Sequence, residues 1–453
     1  MTKSNLKNNQ WVILAVLMVA FTPMVLALTV LHIAIPSLTL DLRATGTEVL
    51  WIIDIYPFIM ASLLIPMGTL ADRVGHKKLL LIGLFIFLIS SVLASISTTA
   101  LFLIFSRGVM AFASAMIMPC ILAIVRQVFE DSKERAMALG IWSAVGSAGA
   151  ALGPLIGGFL LEHFWWGSVF LINIPIMLFA IPFVFIYISY KPITSKSNWT
   201  IGQTLILILA LMSIVYSIKS GLKPDSSTLQ AIFLALFGIL LMFWFVKIQL
   251  NSKQPMLDVS LFLKPAITTG VIMALVVMGA LGGVELTIAQ ELQFVVGFTP
   301  LQAGLFMLPI MISSVFGGLT TSFFLNKIGL RLLASLTLLI ASLSLYGLSM
   351  SDFHTVNIQI VLLLVALGLS LSIGLTASSV AIMGSTPVEK AGSAGALEAT
   401  SYDLGSGLGI TIFGLVLVKT YNSHISLSDS LSSKIGESAT HSIGETFIDA
   451  KDL

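Results

Sequence analysis

The sequence predicts an all-α polytopic membrane protein, and two observations support this prediction. Of the 453 residues, 57% are hydrophobic and only 10% are charged, with a mean hydropathy of +1.03, whereas a soluble domain carries about 25% charged residues. The apolar residues form runs of about 20 residues, the length that a helix needs to cross a hydrocarbon core of roughly 30 Å. Because the runs lack the alternation of barrel strands, we expect helices.

Thirteen such runs predict thirteen transmembrane helices. Their bounds are 11–34, 49–70, 78–97, 99–125, 138–161, 168–190, 201–220, 229–248, 266–294, 302–325, 330–351, 356–383 and 391–420. Sixteen lysines and arginines fall on the side of the amino terminus and six on the other side. Since basic residues accumulate in cytoplasmic loops, we expect a multi-pass cell-membrane protein with a cytoplasmic amino terminus.

The sequence offers little that would support catalysis or a cofactor. Cys120 is the only cysteine, which argues against a disulfide framework or a thiolate metal site. No G-x-x-x-x-G-K-[ST] loop and no loop long enough for an ATPase domain occur. We therefore expect no enzyme, no metal, no cofactor and no nucleic-acid partner, and transport energy from an ion gradient. A receptor or scaffold is disfavoured because neither needs several acids inside its spans.

The loop after the second span carries a G-x-x-x-D-R-x-G-x-K string made by Gly68, Asp72, Arg73, Gly75 and Lys77. Its glycines permit a tight turn between helices. The aspartate can cap a helix start or pair with a base, and the basic residues hold the loop at a cytoplasmic membrane surface. A merely basic loop would account for the lysines but not for this spacing.

The fifth span contains a dense string of small residues with one proline: Gly149, Gly153, Pro154, Gly157 and Gly158. Small residues four positions apart let two helix backbones approach closely, and the proline introduces a bend. The pattern predicts a helix that packs tightly against a neighbour and can rock against it.

These two strings, with W-I-I-D-I-Y at 51–56 and Y-D-L-G at 402–405, resemble the major facilitator superfamily. Within it the chain is similar to the 14-span drug:proton antiporter family, which includes the QacA-type multidrug exporters. His76 stands where the family usually has an arginine. The resemblance covers nearly the whole chain and implies a proton-driven exporter of lipophilic drugs that works as a monomer in the lipid bilayer.

The resemblance also implies the major facilitator fold, in which two six-helix bundles surround a central cavity and two helices are inserted between them. Residues 1–190 would form the amino-terminal bundle, 191–254 the inserted helices and 255–420 the carboxy-terminal bundle. The polar segment 421–453 would lie outside, either as a tail or as the loop before a fourteenth span. We favour the loop and expect that the fourteenth span is absent.

Five ionisable residues inside the predicted spans are the candidate proton-coupling residues: Glu398, Asp54, Glu285, Asp403 and Arg107. Burying a charge in a membrane is costly, so such residues are functional hypotheses by default. A carboxylate in a dry cavity can bind either a proton or a lipophilic cation, and competition between the two is the simplest physical form of antiport.

Some of these residues carry a more specific expectation. Glu398 shares a helix face with Tyr402 and is the strongest candidate for the proton carrier, whereas Asp403 points elsewhere and ties its span to a neighbour. His32 can reach Asp54 from the end of the first span, and these two with Glu285, Glu398 and Tyr402 would line the substrate cavity. Arg107 either stands beside the acids or extends to the outer surface.

The chain departs from its QacA-like relatives at three acids. Ala27, the pair Ser313 and Ser314, and Ala399 stand where those relatives carry carboxylates. The resemblance then implies monovalent cations, zwitterions or neutral drugs as substrates, such as dyes, quaternary ammonium compounds and fluoroquinolones, and poor handling of divalent cations. An exporter of one compound class, such as tetracycline or a metabolite, is the alternative.

Overall fold

A computed structural model of the chain describes residues 10–188, 201–221, 228–252, 255, 257–355, 357–386, 391–424 and 443–452. The α-helices are α1 (Gln10–Leu42), α2 (Gly46–Val74), α3 (His76–Ser95), α4 (Ala100–Val128), α5 (Ser132–His163), α6 (Ser168–Leu171), α7 (Asn173–Tyr187), α8 (Ile201–Gly221), α9 (Thr228–Asn251), α10 (Pro265–Gln290), α11 (Pro300–Phe306), α12 (Leu308–Ser349), α13 (Ile358–Gly384), α14 (Ala391–His424) and α15 (Ile443–Asp452). A 3₁₀ helix spans Val259–Leu263, and a π-helical turn, Glu291–Val295, continues α10.

Length and hydropathy confirm the predicted fold class. Among the described residues, twelve helical segments are long and apolar enough to cross a membrane, and α8 adds a shorter apolar stretch, Gly202–Ile218. The described residues contain no strand.

Polar caps fix where several helices begin. Thr45 and Glu48 form a capping box at the start of α2, in which the Thr45 hydroxyl accepts from the Glu48 amide and the Glu48 carboxylate accepts from the Thr45 amide. Thr299 and Gln302 repeat the arrangement at α11. Such caps satisfy backbone donors that a helix start leaves free, so α2 begins three residues before the apolar run that predicted it.

The helices group into two packed sets and one separate pair. Helices α1–α7 contact one another, as do α10–α14, and the two sets meet through α2 with α14, α5 with α11 and α1 with α10. Helices α8 and α9 pack together, and α8 contacts α2, where the rings of Trp51 and Tyr216 are 5.9 Å apart. The predicted boundaries near 190 and 254 lie outside the described residues.

One predicted break between spans is confirmed, and two of the predicted spans are interrupted in the structure. Predicted spans 302–325 and 330–351 meet at Gly329, whose φ of 77° and ψ of 162° are not helical, so α12 consists of two helices joined by a kink. A positive φ strains residues with a Cβ atom but suits glycine. Predicted span 168–190 is interrupted at Ile172, and 302–325 is interrupted at Met307. Hydrophobic length alone does not reveal such interruptions.

The polar segment 421–453 contains a short helix that sequence analysis did not predict. Residues 425–442 lie outside the described residues, but α15 packs against α1, α2 and the π-turn. We call the end of the molecule that carries α15 the α15 end. The opposite end, which carries residues 68–78, is called the motif end.

Candidate functional site

The α2–α14 seam brings a candidate acid of one bundle against the other bundle. Thr411 of α14 donates a hydrogen bond to the Asp54 carboxylate of α2, with 2.5 Å between Oγ1 and Oδ2, and both residues are fully buried. A side chain added at Gly407 of α14 would meet the ring of Phe58 of α2 at 2.8 Å, so the glycine makes room for this ring in the seam. Asp54 therefore lies in a dry seam between bundles, away from the interface with lipid.

Arg107 lies beside this seam and is 1% exposed. Its Nε donates to the carbonyl of Ile52 at 2.5 Å, and one terminal nitrogen donates to the carbonyl of Ala27 at 3.3 Å. The guanidinium also sits over the ring of Tyr56, 5.3 Å from its centroid, and its charge acts on Asp54. The alternative in which Arg107 extends to the outer surface is therefore wrong, and the side chain ties α4 to α1 and α2.

The α1–α10 seam holds the second polar contact between the bundles. His32 of α1 and Glu285 of α10 lie with Nδ1 and Oε2 3.9 Å apart, and their side chains are 6% and 12% exposed. The prediction that His32 reaches Asp54 is corrected here, because its ring faces Glu285 across the seam. A neighbouring bond from Gln293 to the carbonyl of Ile33, at 3.1 Å, joins α1 to the π-turn that continues α10.

The acids of α14 lie nearer the motif end. The hydroxyl of Tyr402 donates to the Glu398 carboxylate, with 2.5 Å between Oη and Oε1, so the two do share a helix face as expected. Both are half-buried. Asp403 lies within electrostatic reach of Tyr56 in the other bundle.

Sequence analysis missed the glycines that let α14 approach α10. A methyl group added at Gly409 would overlap the backbone of Gly279, and one added at Gly405 would meet the backbone of Leu275 at 2.7 Å. The G-x-G-x-G spacing at 405–409 was the available signal. Since α14 also contacts α2, this helix of the second bundle borders the first bundle as well.

The small residues of α5 make two different contacts. Gly149 packs on Val25 and Gly153 on Thr29, so one face of α5 lies close against α1. Gly158 instead faces the other bundle, where an added methyl group would meet the backbone of Leu301 at 2.7 Å. Close backbone approach was predicted from the sequence, and it occurs both within a bundle and between bundles.

The string at 68–77 forms a polar junction at the motif end. His76 bridges Asp72 at 3.1 Å and Gln127 at 3.2 Å, and Lys77 donates to the carbonyl of Phe185 at 2.8 Å. Gly75 joins α2 to α3 with φ of 102°. His76 thus links α2, α3 and α4, while Lys77 links α3 to α7.

The polar contacts between the bundles at Asp54 and Glu285 and the close approach at Gly158 all lie toward the α15 end. The acids therefore occupy two distinct settings, dry seams at Asp54 and Glu285 and a half-buried position at Glu398. No group of three or more histidines, cysteines or acids within the described ranges is placed to hold a metal.

Two bundles of membrane-spanning helices that meet through buried acids define a multi-pass membrane transporter. The chain belongs to the Major Facilitator Superfamily, whose family profile matches residues 17–410.

Similar proteins support this assignment. Over 436 residues the chain is 45% identical to the methyl viologen resistance protein SmvA of Salmonella typhimurium, covering 96% of this chain and 88% of that protein. It is 32% identical to the multidrug efflux pump LfrA of Mycolicibacterium smegmatis, covering 98% and 88%. Among solved structures, a bacterial homolog of the human lysosomal transporter Spinster, in an inward-facing and unoccupied conformation, aligns with a TM-score of 0.67 and 16% identity over 97% of this chain and 93% of that one. At this identity the likeness concerns the fold alone.

Proposed function

We propose that the protein is a proton-coupled multidrug antiporter that exports lipophilic drugs across the cell membrane, with its amino terminus and motif end in the cytoplasm. The observation that supports this most directly is the Asp54–Thr411 hydrogen bond, because it places an ionisable acid in a seam that must part when the bundles rock. The names of SmvA and LfrA, which refer to methyl viologen resistance and multidrug efflux, point the same way.

In the proposed cycle, Glu398 is the acid at which drug and proton compete. It is half-buried, and the Tyr402 hydroxyl group, which donates a hydrogen bond to it, holds the side chain in place before a ligand arrives. A lipophilic cation that binds there neutralises the charge in place of a proton. Asp403 and Asp54 lie farther along the α2–α14 interface, so a proton that enters from the α15 end meets them before it reaches Glu398.

The substrate class follows from the small number of acids. Glu398 offers one carboxylate in its setting, and Ala399 adds no second charge beside it, which favours monovalent cations, zwitterions and neutral drugs. Methyl viologen, after which the Salmonella typhimurium relative is named, is a flat aromatic dication. It is therefore the compound that tests most sharply whether divalent cations are handled poorly.

Efflux from proteoliposomes tests the proposed function. Vesicles with a defined pH gradient are loaded with ethidium, and the rate of dye movement is followed before and after an ionophore collapses the gradient. We expect the rate to fall to that of protein-free vesicles. An unchanged rate would show that protons do not drive transport.

The alternative, an exporter of one compound class, is distinguished by competition. If ethidium, a fluoroquinolone and a quaternary ammonium compound each slow the efflux of the others, the cavity accepts unrelated drugs. Inhibition by one chemical class alone would favour the specific exporter.

A further inference from the structure

The His32–Glu285 contact differs from the other acid contacts because both partners can bind a proton. The imidazole and the carboxylate face each other at 3.9 Å across the α1–α10 seam. His32 is 5% exposed, and its Nδ1 makes no hydrogen bond with any residue that the structure describes. A buried nitrogen without a partner is costly, so this atom needs either its own proton or one shared with Glu285.

The charged groups around the pair are few. Arg107 of α4 acts on His32 through its charge. The acids on elements packed against α1 or α10 contact other groups: Asp54 contacts Thr411, Glu48 contacts Thr45, Glu398 contacts Tyr402 and Glu445 contacts the Gly46 amide. Asp403 lies toward Tyr56, and Glu291 of the π-turn is half-buried and lies within electrostatic reach of His354. The proton content of the pair therefore decides most of its net charge.

The net charge of the His32–Glu285 pair determines how many protons the pair holds in the closed seam. With one proton the pair is neutral overall, either as imidazolium with carboxylate or as imidazole with carboxylic acid. With two protons it carries a positive charge, and with none a negative charge. An uncompensated charge in a dry seam is strongly unfavourable, whereas water in an opened seam would solvate it.

We propose that His32 and Glu285 form a proton-binding pair, separate from the acids of α14, that closes the α15 end when it holds one proton. This deepens the proposed antiport function and rests on it, since the seam must open and close during transport. Above about pH 6.5 a hydrated imidazole is neutral and a hydrated carboxylate is ionised, so the opened pair holds no proton. Closing then takes up one proton, and raising the pH favours the open state.

The proposal predicts opposite pH responses for two single variants. In Glu285→Gln the closed seam requires a neutral imidazole and takes up no proton, so acidification opens it. In His32→Gln the closed seam requires a protonated carboxyl group, so raising the pH opens it, beginning about two pH units lower than in the parent protein. In the double variant neither group remains and this response is lost.

The test uses the reactivity of a cysteine under α15. Cys120 is the only native cysteine, so Cys120→Ala gives a cysteine-free background. Val49 lines an apolar cavity between α1, α2, α14 and α15, which makes Val49→Cys a reporter of the closed α15 end. Full-length protein is reconstituted, and its reaction with a membrane-impermeant thiol reagent is followed from pH 5 to pH 8.

The double variant serves as the baseline because other acids also respond to pH. Relative to it, we expect reactivity to rise with pH in the parent protein, by up to about tenfold per pH unit above pH 6.5 for one linked proton, and to fall with pH in Glu285→Gln. If the reactivity of the reporter changes with pH in the same direction and with the same slope in the parent, in both single variants and in the double variant, the proposal is wrong.

Efflux measurements keep this result distinct from the proposed function. If a collapsed pH gradient leaves efflux unchanged while the opposite slopes remain, the antiport proposal fails and the pair still controls closure. If efflux depends on the gradient but the slopes coincide, the antiport proposal stands and the pair has no part in closure.

Discussion

Thr411 donates a hydrogen bond to Asp54 from the opposite bundle, and neither residue is exposed. Such a bond stabilises the closed α15 end, because when the bundles part both groups must exchange their partner for water. Leaving a buried hydrogen-bonding group without its partner costs about 1–3 kcal/mol. The pair therefore links the protonation of Asp54 to the separation of α2 and α14.

Thr411→Val should weaken closure of the α15 end, since valine has the shape of threonine without its hydroxyl group. We expect the Val49→Cys reporter to react about fivefold to hundredfold faster, as the loss of about 1–3 kcal/mol implies. Thr411→Ser keeps the hydroxyl group and should react like the parent. Equal rates in the valine and serine variants would show that the bond does not hold the seam.

Glu398→Gln should abolish efflux driven by a pH gradient while leaving membrane insertion intact, because glutamine keeps the shape of the side chain but cannot carry the proton. Tyr402→Phe removes only the hydrogen bond and should slow efflux by about tenfold or less, corresponding to a bond of about 1 kcal/mol. Glu162→Gln, on the exposed end of α5, is the matched control. Gradient-driven efflux that survives Glu398→Gln would remove this residue from the mechanism.

The contacts that local pattern encodes were predictable from the sequence. The spacing of Glu398 and Tyr402 placed them on one helix face, and the small residues of α5, such as Gly153, indicated close backbone packing. Hydrophobic runs gave the number of spans because the bilayer fixes a minimum helix length.

What the sequence did not reveal depends on how distant segments come together. The partner of His32 is a residue more than 250 positions away, and nothing in the α1 periodicity selects Glu285 over Asp54. The interruption at Met307 falls within a run that hydropathy reads as one span. Helix α15 is too short to span a membrane, so a search for long apolar runs passes over it, and the only signal of its packing is the pair Ile443 and Phe447, four positions apart on one face.

Gly409→Ala should destabilise the fold, because the added methyl group meets the backbone of Gly279 where α14 crosses α10. Backbone cannot move aside as a flexible side chain can, and overpacking of this kind costs about 1–3 kcal/mol or more. Gly395→Ala is a matched control in the same helix, where an added methyl group meets nothing within 4 Å. Thermal unfolding in detergent should show a lower midpoint for Gly409→Ala alone. Equal midpoints would mean that the crossing can relax.

Gly158→Ala should act on the conformational equilibrium rather than on the folding of one bundle. Its methyl group would meet Leu301 and Pro300 across the α5–α11 seam at 2.7 Å and so disfavour the closed α15 end. We expect faster reaction of the Val49→Cys reporter with a nearly unchanged unfolding midpoint. Gly140→Ala lies on the same helix in open space and should change neither quantity. A lowered midpoint without faster reaction would assign Gly158 to packing alone.

Phe447→Ala should loosen α15 over the apolar cavity. The Phe447 ring lies 5.1 Å from that of Phe294 at the π-turn, while Glu445 accepts a hydrogen bond of 2.8 Å from the Gly46 amide at the start of α2. The short helix thus contacts both bundles at the end where they meet.

An aromatic pair contributes about 0.5–1.5 kcal/mol beyond the area it buries, so we expect the Val49→Cys reporter to react about threefold to tenfold faster in Phe447→Ala. Phe233→Ala, on the exposed face of α9, removes a ring of the same size and should leave the rate unchanged. Adding Glu445→Ala should increase the rate further, because the second contact holds α15 to the other bundle. If neither substitution changes the rate, α15 lies on a seam that is already closed beneath it.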